Sequence, residues 1–235
     1  MSTLMVDIGG SNIKLLCSAD GEMRKIRSHR DMGATEMVEC VRHAVTGWTF
    51  DRVSIGFPGL LRAGRPVREP LNLGGGWVGF DYEAAFGCPV RFINDAAMQA
   101  LGNYVSGRLL FIGFGTSIGC CVIADDVVLP IETGLIKIGR GQRLMECLSK
   151  AALKRFGLAR WERSAGEAVA LLRDVFHPEE TVLGGGNSKH FTAIPYGART
   201  VDNRSAYRGA ERLWEGADLV ARPYGSTWRI GRTQG

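Results

Sequence analysis

The sequence predicts an α/β protein of two lobes, each a mixed sheet with flanking helices. Two observations carry this expectation. A glycine-rich strand turn occurs twice, as Val6-Asp7-Ile8-Gly9-Gly10-Ser11-Asn12-Ile13-Lys14 and as Phe111-Ile112-Gly113-Phe114-Gly115-Thr116-Ser117-Ile118-Gly119. Strands, then a helix, then another strand follow in the same order in each half, and no low-complexity linker separates the halves. The lobes are placed at residues 1–106 and 107–220, with a basic tail over 221–235.

The elements follow in order. Leu4–Asp7, Asn12–Ser18 and Glu22–Arg27 read as strands joined by turns at Gly9-Gly10 and Asp20-Gly21. A helix is expected next, N-capped by Thr35, with Met37, Cys40, Val41, Ala44 and Val45 on one face. Arg52–Ile55 and Val90–Ile93 read as buried strands. Between them Gly56–Gly79, rich in Gly and Pro, is too long for a plain connector and reads as a binding loop. Ala96–Val105 is helical. In the second half Leu109–Phe114, Ile118–Ala124 and Val127–Leu129 are strands, with Asp125-Asp126 in a turn. Helices are expected over Leu144–Phe156 and Gly166–Phe176, then a strand at Thr181–Leu183 and a helix over Arg204–Trp214. The stretch from Ala221 carries Arg222, Arg229 and Arg232 with no acid and no helical period, so a loosely ordered tail is expected.

Chemistry is expected at the strand ends. Only glycine lets backbone N–H groups crowd an anion closely, so both glycine turns suit phosphate oxygens. Asp7, at the first turn, is placed to hold Mg²⁺ while the turn holds phosphate, with Ser11 and Lys14 adding a hydroxyl and a charge. Asp95 follows a strand and opens a helix. It reads equally as an N-cap or as a base within reach of a substrate hydroxyl. Asn72, Gly74–Gly76 and Trp77 in the long loop mix an amide, flexible backbone and an indole, a combination suited to a polyhydroxylated ligand. Glu132 is a further loop carboxylate, and Gly184-Gly185-Gly186 permits close approach of a planar base or a phosphate chain.

Composition limits the alternatives. At 235 residues, 45% of them hydrophobic, the chain can bury a substantial core. No apolar run is long enough to span a membrane, and the start lacks the features of a secretion signal. Six scattered cysteines without C-x-x-C spacing read as reduced cytosolic thiols, so a cytoplasmic protein is expected. The net charge of +5 suits an acidic ligand such as a nucleotide or polyphosphate, and no nucleic-acid-binding signature accompanies it. A dinucleotide oxidoreductase is disfavoured, because its glycine turn would lead into a helix rather than the strand Ile13–Ser18.

Taken in order, the motifs resemble those of the ROK sugar kinases of the actin-like ATPase superfamily, most closely the compact polyphosphate glucokinase branch. The matching stretches are Asp7 through Lys14, Gly56-Phe57-Pro58-Gly59, Asn72 through Gly79, Asn94-Asp95-Ala96, Gly115 through Gly119 and Val182 through Gly186. The resemblance covers about residues 4–215. It implies an actin-like (ribonuclease H-like) fold and phosphoryl transfer from ATP or polyphosphate to a sugar. It also implies Asp95 as base, Asp7 organising Mg²⁺, and Gly9, Gly10, Ser11, Lys14, Gly115, Thr116 and Ser117 gripping phosphates. Asn72, Asn94, Asp95 and Glu132 would hold sugar hydroxyls, and Gly184, Gly185 and Gly186 would border the nucleotide or phosphate-chain cleft. No zinc, no nucleic-acid partner and a homodimer are expected on the same ground. Two departures stand out. The family's Glu-x-Gly-His is here Glu132-Thr133-Gly134-Leu135, and its Gly-Thr-Gly turn is Gly115-Thr116-Ser117.

Overall fold

A computed structural model describes residues 1–19, 21–138, 141–202 and 204–232. Asp20 of the expected Asp20-Gly21 turn lies outside the described residues.

The first lobe comprises β1 (Thr3–Ile8), β2 (Asn12–Cys17), β3 (Met23–Arg27), α1 (Ala34–Ala44), β4 (Arg52–Phe57), β5 (Leu61–Arg62), β6 (Arg65–Pro66), α2 (Tyr82–Phe86), β7 (Val90–Asn94) and α3 (Asp95–Asn103). Its sheet has the order β3-β2-β1-β4-β7. β1 is buried along its whole length, because it lies antiparallel to β2 on one side and parallel to β4 on the other. α1 buries Met37, Val38 and Val41, but its N-cap is Gly33 rather than Thr35. The helix starts two residues earlier than expected, with Met37 N donating to Gly33 O at 3.0 Å, and Gly33 has no room for a side chain because a β-carbon there would lie 2.6 Å from the carbonyl oxygen of Gly75.

The chain continues with β8 (Leu109–Phe114), β9 (Ile118–Ala124), β10 (Val127–Ile131), β11 (Lys137–Ile138), β12 (Gln142–Arg143), α4 (Leu144–Leu148), α5 (Lys150–Phe156), α6 (Leu158–Phe176), β13 (Glu180–Gly184), β14 (Ala198–Thr200), α7 (Ser205–Glu211), β15 (Leu219–Tyr224) and β16 (Thr227–Arg232). Seven strands form the sheet β14-β13-β8-β9-β10-β16-β15, with β8 parallel to β13 and antiparallel to β9. β8 is covered on both faces, which is why its sequence is an unbroken apolar run. Leu109 and Phe111 face a core shared with the first lobe, whereas Leu110, Ile112 and Phe114 face a second core under α6, with Trp161 and Leu172.

Three expectations are corrected. The helix expected over Leu144–Phe156 breaks at Ser149, whose hydroxyl accepts from Ala152 N at 3.2 Å and so starts a new helix, α5. The helix expected from Gly166 begins at Leu158. The segment from Ala221 is not a loose tail. β15 and β16 pair through six registered residues, and Trp228 and Ile230 turn inward while Arg222 and Arg229 stay outside. Residues 233–235 lie outside the described residues.

α3 joins the two halves. It packs against β4 and β7 of the first sheet and against β8, β9, β10 and β13 of the second. α7 lies across α3 and also touches β1 and β4, so a helix late in the chain completes the first lobe. The two helices cross with their backbones in contact. A β-carbon at Gly102 would overlap the Ser205 carbonyl oxygen, and one at Gly209 would overlap that of Met98. Arg212, wholly buried, fastens this crossing by donating to the carbonyls of Leu101 and Tyr104 and to the carboxylate of Asp218. Those contacts hold the Asp218 carboxyl well below the usual carboxylate range, chiefly through Arg212 and then Arg208.

Candidate active site

The two glycine turns, distant in sequence, meet in space. The Ser11 and Thr116 hydroxyls lie 2.9 Å apart, and a β-carbon on Gly10 would come within 3.4 Å of the Thr116 methyl. The first turn closes through Gly9 N donating to Asn12 O at 3.1 Å, and the second through Gly115 N donating to Ser117 O at 2.9 Å. Ser117 is not among the non-glycine residues with positive φ, so its backbone does not require glycine there.

Asp7 is buried at the end of β1, its Oδ2 accepting from Lys14 Nζ at 3.0 Å. The antiparallel register places Asp7 opposite Lys14, and the parallel register places it beside Gly56. A β-carbon on Gly56 would lie 3.5 Å from Asp7 Oδ1 and would overlap the Met98 methyl. Gly56 therefore lets α3 approach the first turn closely.

Asp95 is the first residue of α3, not its N-cap. Asn94 caps the helix, its Oδ1 accepting from Ala97 N at 3.1 Å. Asp95 Oδ1 accepts from Ala96 N at 2.8 Å, and the side chain keeps some accessible surface. Its pKa is raised to about 7. Desolvation is the main cause, followed by the Asp7 charge; the Ala96 N–H opposes, Glu132 adds to the rise and Lys14 opposes. Three carboxylates, Asp7, Asp95 and Glu132, thus share one electrostatic neighbourhood between the sheets.

Three glycines lie side by side on the second sheet, Gly119 against α3 and Gly113 and Gly184 around the Phe111 ring. Gly119, Gly113 and Gly184 are register partners across β9, β8 and β13. A β-carbon at Gly119 would lie 3.1 Å from that of Ala96, and one at Gly184 would lie 2.7 Å from the Phe111 ring. Sequence reasoning missed this row. Its signal was the symmetry of Gly113 and Gly119 about the turn.

Gly184, Gly185 and Gly186 divide in role. Gly184 and Gly185 are forced to be glycine by packing, Gly185 at φ +82° against the Phe114 backbone, whereas Gly186 has open space. Asn187 stitches this turn to the second phosphate turn, donating from its backbone N to Phe114 O at 2.9 Å and from Nδ2 to Gly115 O at 3.4 Å.

Other predicted residues stand apart. Asn72 is exposed, and among the described residues no hydrogen bond ties it to the cluster. Trp77 is wholly buried, its Nε1 donating to Gly74 O at 2.8 Å, so its indole belongs to the core rather than to a ligand. Glu132 is exposed, and Leu135 is 55% exposed three residues further on, after a single tight helical turn.

No family model matches the chain. It is 22% identical over 205 residues to the polyphosphate glucokinase of Mycobacterium tuberculosis, covering 78% of this chain and 77% of that protein. It is 30% identical over 153 residues to the N-acetylmannosamine kinase of Citrobacter koseri, covering 57% and 52% respectively. The crystal structure of an inorganic polyphosphate/ATP-glucomannokinase from Arthrobacter sp. strain KM superposes with a TM-score of 0.74 at 25% identity, over 89% of this chain and 96% of that one. No described helix is long and apolar enough to cross a membrane.

Proposed function

From a chain whose homologues and structural neighbours are ROK-family sugar kinases, we propose a phosphotransferase that moves a phosphoryl group from ATP or polyphosphate to a hexose-like hydroxyl, with Asp95 as the base. The observation that carries this reading is the position of Asp95. It stands at the start of the helix shared by both lobes, its pKa is raised to about 7, and it shares its electrostatic environment with Asp7 at the first glycine turn. A base works best when its pKa lies near the working pH, and here burial among carboxylates supplies that tuning.

The remaining roles follow from chemistry. The paired turns at Gly9–Ser11 and Gly115–Ser117 offer backbone N–H groups and two hydroxyls to the donor's phosphates. Asn94 fixes the helix start, so Asp95 is held rigidly, and Glu132 is available to sugar hydroxyls. Among the described residues no group of three or more His, Cys, Asp or Glu gathers at one point. Mg²⁺ would arrive with the donor phosphates, with Asp7 as its protein carboxylate, an arrangement that suits this ion. Asp7 fits that role because its Oδ2 accepts from Lys14 while its Oδ1 lies on the side of Gly56, which has no side chain to crowd it. Bound there, the ion would neutralise phosphate charge.

The test is phosphate transfer from ATP and from polyphosphate across a panel of hexoses and hexosamines with Mg²⁺, run beside Asp95→Asn. Transfer by the parent and its loss in the variant is the expected result. Transfer that survives the substitution removes Asp95 from the role. The pH profile is a second check. The base must be ionised, so kcat/KM is expected to fall as pH drops below about 7, and the decline should be absent from the residual rate of Asp95→Asn.

Leu135 favours a second reading, a ligand-binding protein with weak turnover, because it offers no polar atom where the resembling family has a histidine. Leu135→His separates the two. A regained sugar hydrogen bond of about 1–3 kcal/mol would lower the KM for glucose by roughly 5- to 150-fold. An unchanged KM would show that the pocket differs by more than this residue.

A further inference from the structure

Two hairpins, one from each half of the chain, meet tip to tip. β5 and β6 form the first and turn through Ala63 and Gly64, both at positive φ (49° and 70°), as a tight hairpin turn requires. β15 and β16 form the second and turn through Gly225-Ser226, with Gly225 at φ 61°. Ala63 N donates to Gly225 O at 2.7 Å. Beside that bond the hairpins are in close contact, since a β-carbon on Gly64 would lie 2.9 Å from Pro223 Cγ.

Each hairpin is rooted away from the contact. In the first, Leu61 is buried and Arg65 joins Glu83 of α2 through bonds of 3.0 and 2.5 Å. The second hangs on β10, with the buried Trp228 opposite Val128 and Ile230 N donating to Asp126 O at 2.8 Å. Register sets where the tips meet. β10 runs toward Glu132 and β16 lies antiparallel to it, so the Gly225 turn is at the Glu132 end of the second sheet. β5 follows a few residues after Gly56, the neighbour of Asp7 in the first sheet. The tips therefore meet at the rim of the cleft, and α3 joins the lobes beneath it.

We infer that the β15–β16 hairpin is a latch across the rim of the cleft, and that its tip contact with Ala63 and Gly64 holds the lobes closed over the two glycine turns. The inference rests on the phosphotransferase reading and adds a fastening that its motifs do not supply, because the hairpin lies beyond residue 215, where the family resemblance ends. One hydrogen bond and one packed pair are weak enough to part as the lobes move, yet strong enough to bias the balance between open and closed forms. A cleft held closed keeps its sugar longer, and opening it speeds release.

The test compares the parent with Gly64→Asn, Pro223→Ala and the double variant. Asparagine accepts a positive φ, so the β5–β6 turn survives while the new side chain drives Pro223 away. Pro223→Ala loosens the same contact from the other side by removing Cγ, with a smaller effect in the same direction. Three readouts are used: deuterium exchange at the Ala63 amide, the radius of gyration in solution, and KM and kcat with the hexose that the parent phosphorylates. In Gly64→Asn the Ala63 amide is expected to exchange roughly 2- to 12-fold faster, the worth of one neutral hydrogen bond. Ala221 and Ile230, whose amides hold the hairpin on Arg212 O and Asp126 O, should keep their protection. The radius of gyration should grow and KM for the hexose should rise, while kcat does not fall. The double variant should match Gly64→Asn, because both substitutions act on one contact. The latch is overturned by an Ala63 amide already unprotected in the parent, or by loss of protection at Ala221 and Ile230 along with Ala63. Faster exchange at Ala63 with the radius or KM unchanged overturns it too. If the parent transfers phosphate to no hexose, the phosphotransferase reading fails. Exchange and scattering still decide the latch in that case.

Discussion

Asp95→Asn is expected to lower kcat by roughly 10²–10⁴ while making the protein more resistant to heat at neutral pH. The two effects have one cause. Burial and the neighbouring Asp7 raise the Asp95 pKa from 3.8 to about 7. Between those values the folded protein binds a proton that the unfolded chain releases, so folding stability falls as pH rises through that window. An uncharged amide escapes this loss. It also keeps an oxygen able to accept from Ala96 N, which Asp95 now does at 2.8 Å. The measurement is Tm of both proteins at pH 5 and pH 8 beside the rate. A gain in Tm at pH 8 that shrinks at pH 5 is expected. A variant that is slow but no more stable at pH 8 would mean that Asp95 is not held in a charge-averse environment.

Gly209→Ala should be as damaging to the fold as Asp95→Asn is to the rate. On helix propensity alone alanine would help by about 1 kcal/mol. Packing reverses the sign, because the new methyl would overlap the Met98 carbonyl oxygen at the crossing of α7 and α3. Backbone cannot move aside as a flexible side chain does, so a net loss of about 3 kcal/mol is expected. For a chain of this size that corresponds to a Tm lower by about 6–12 °C. Gly166→Ala is the control. Gly166 lies within α6 with open space where a β-carbon would stand, and alanine there should be neutral or stabilising. Equal Tm for Gly209→Ala and the parent would mean that the helices are not in backbone contact.

The strands were legible because each is a short apolar run ended by glycine or a charged turn, and β1, β2, β4, β7, β8 and β9 fall where those runs lie. The meeting of the two glycine turns was foreseeable as soon as each was assigned to its own half. Other features escaped for physical reasons. The crossing of α3 and α7 depends on Gly102 and Gly209, which in sequence read as poor helix residues rather than as a contact. The β15–β16 hairpin did carry a signal in Gly225-Ser226, a two-residue turn with glycine first. The three arginines and the missing helical period mask that signal, although Trp228 and Ile230 alternate as a strand does. Capping at Asn94 rather than Asp95 turns on a shift of one residue. Only the hydrogen bond to Ala97 N decides it.

The position of α7 sets a timetable for synthesis. Ser54, in the middle of the first sheet, gives its hydroxyl proton to Ala210 O and accepts from Trp214 Nε1, each bond at 2.8 Å and spanning more than 150 residues. At a ribosomal pace of roughly 5–20 residues per second, those partners emerge roughly 8–30 s after Ser54 does. Throughout that interval the nascent first lobe has its strands but not the helix that covers β1, β4 and α3. Ribosome-bound chains stopped short of Arg204 should therefore be the forms that holdase chaperones retain, and release should coincide with the appearance of Arg212.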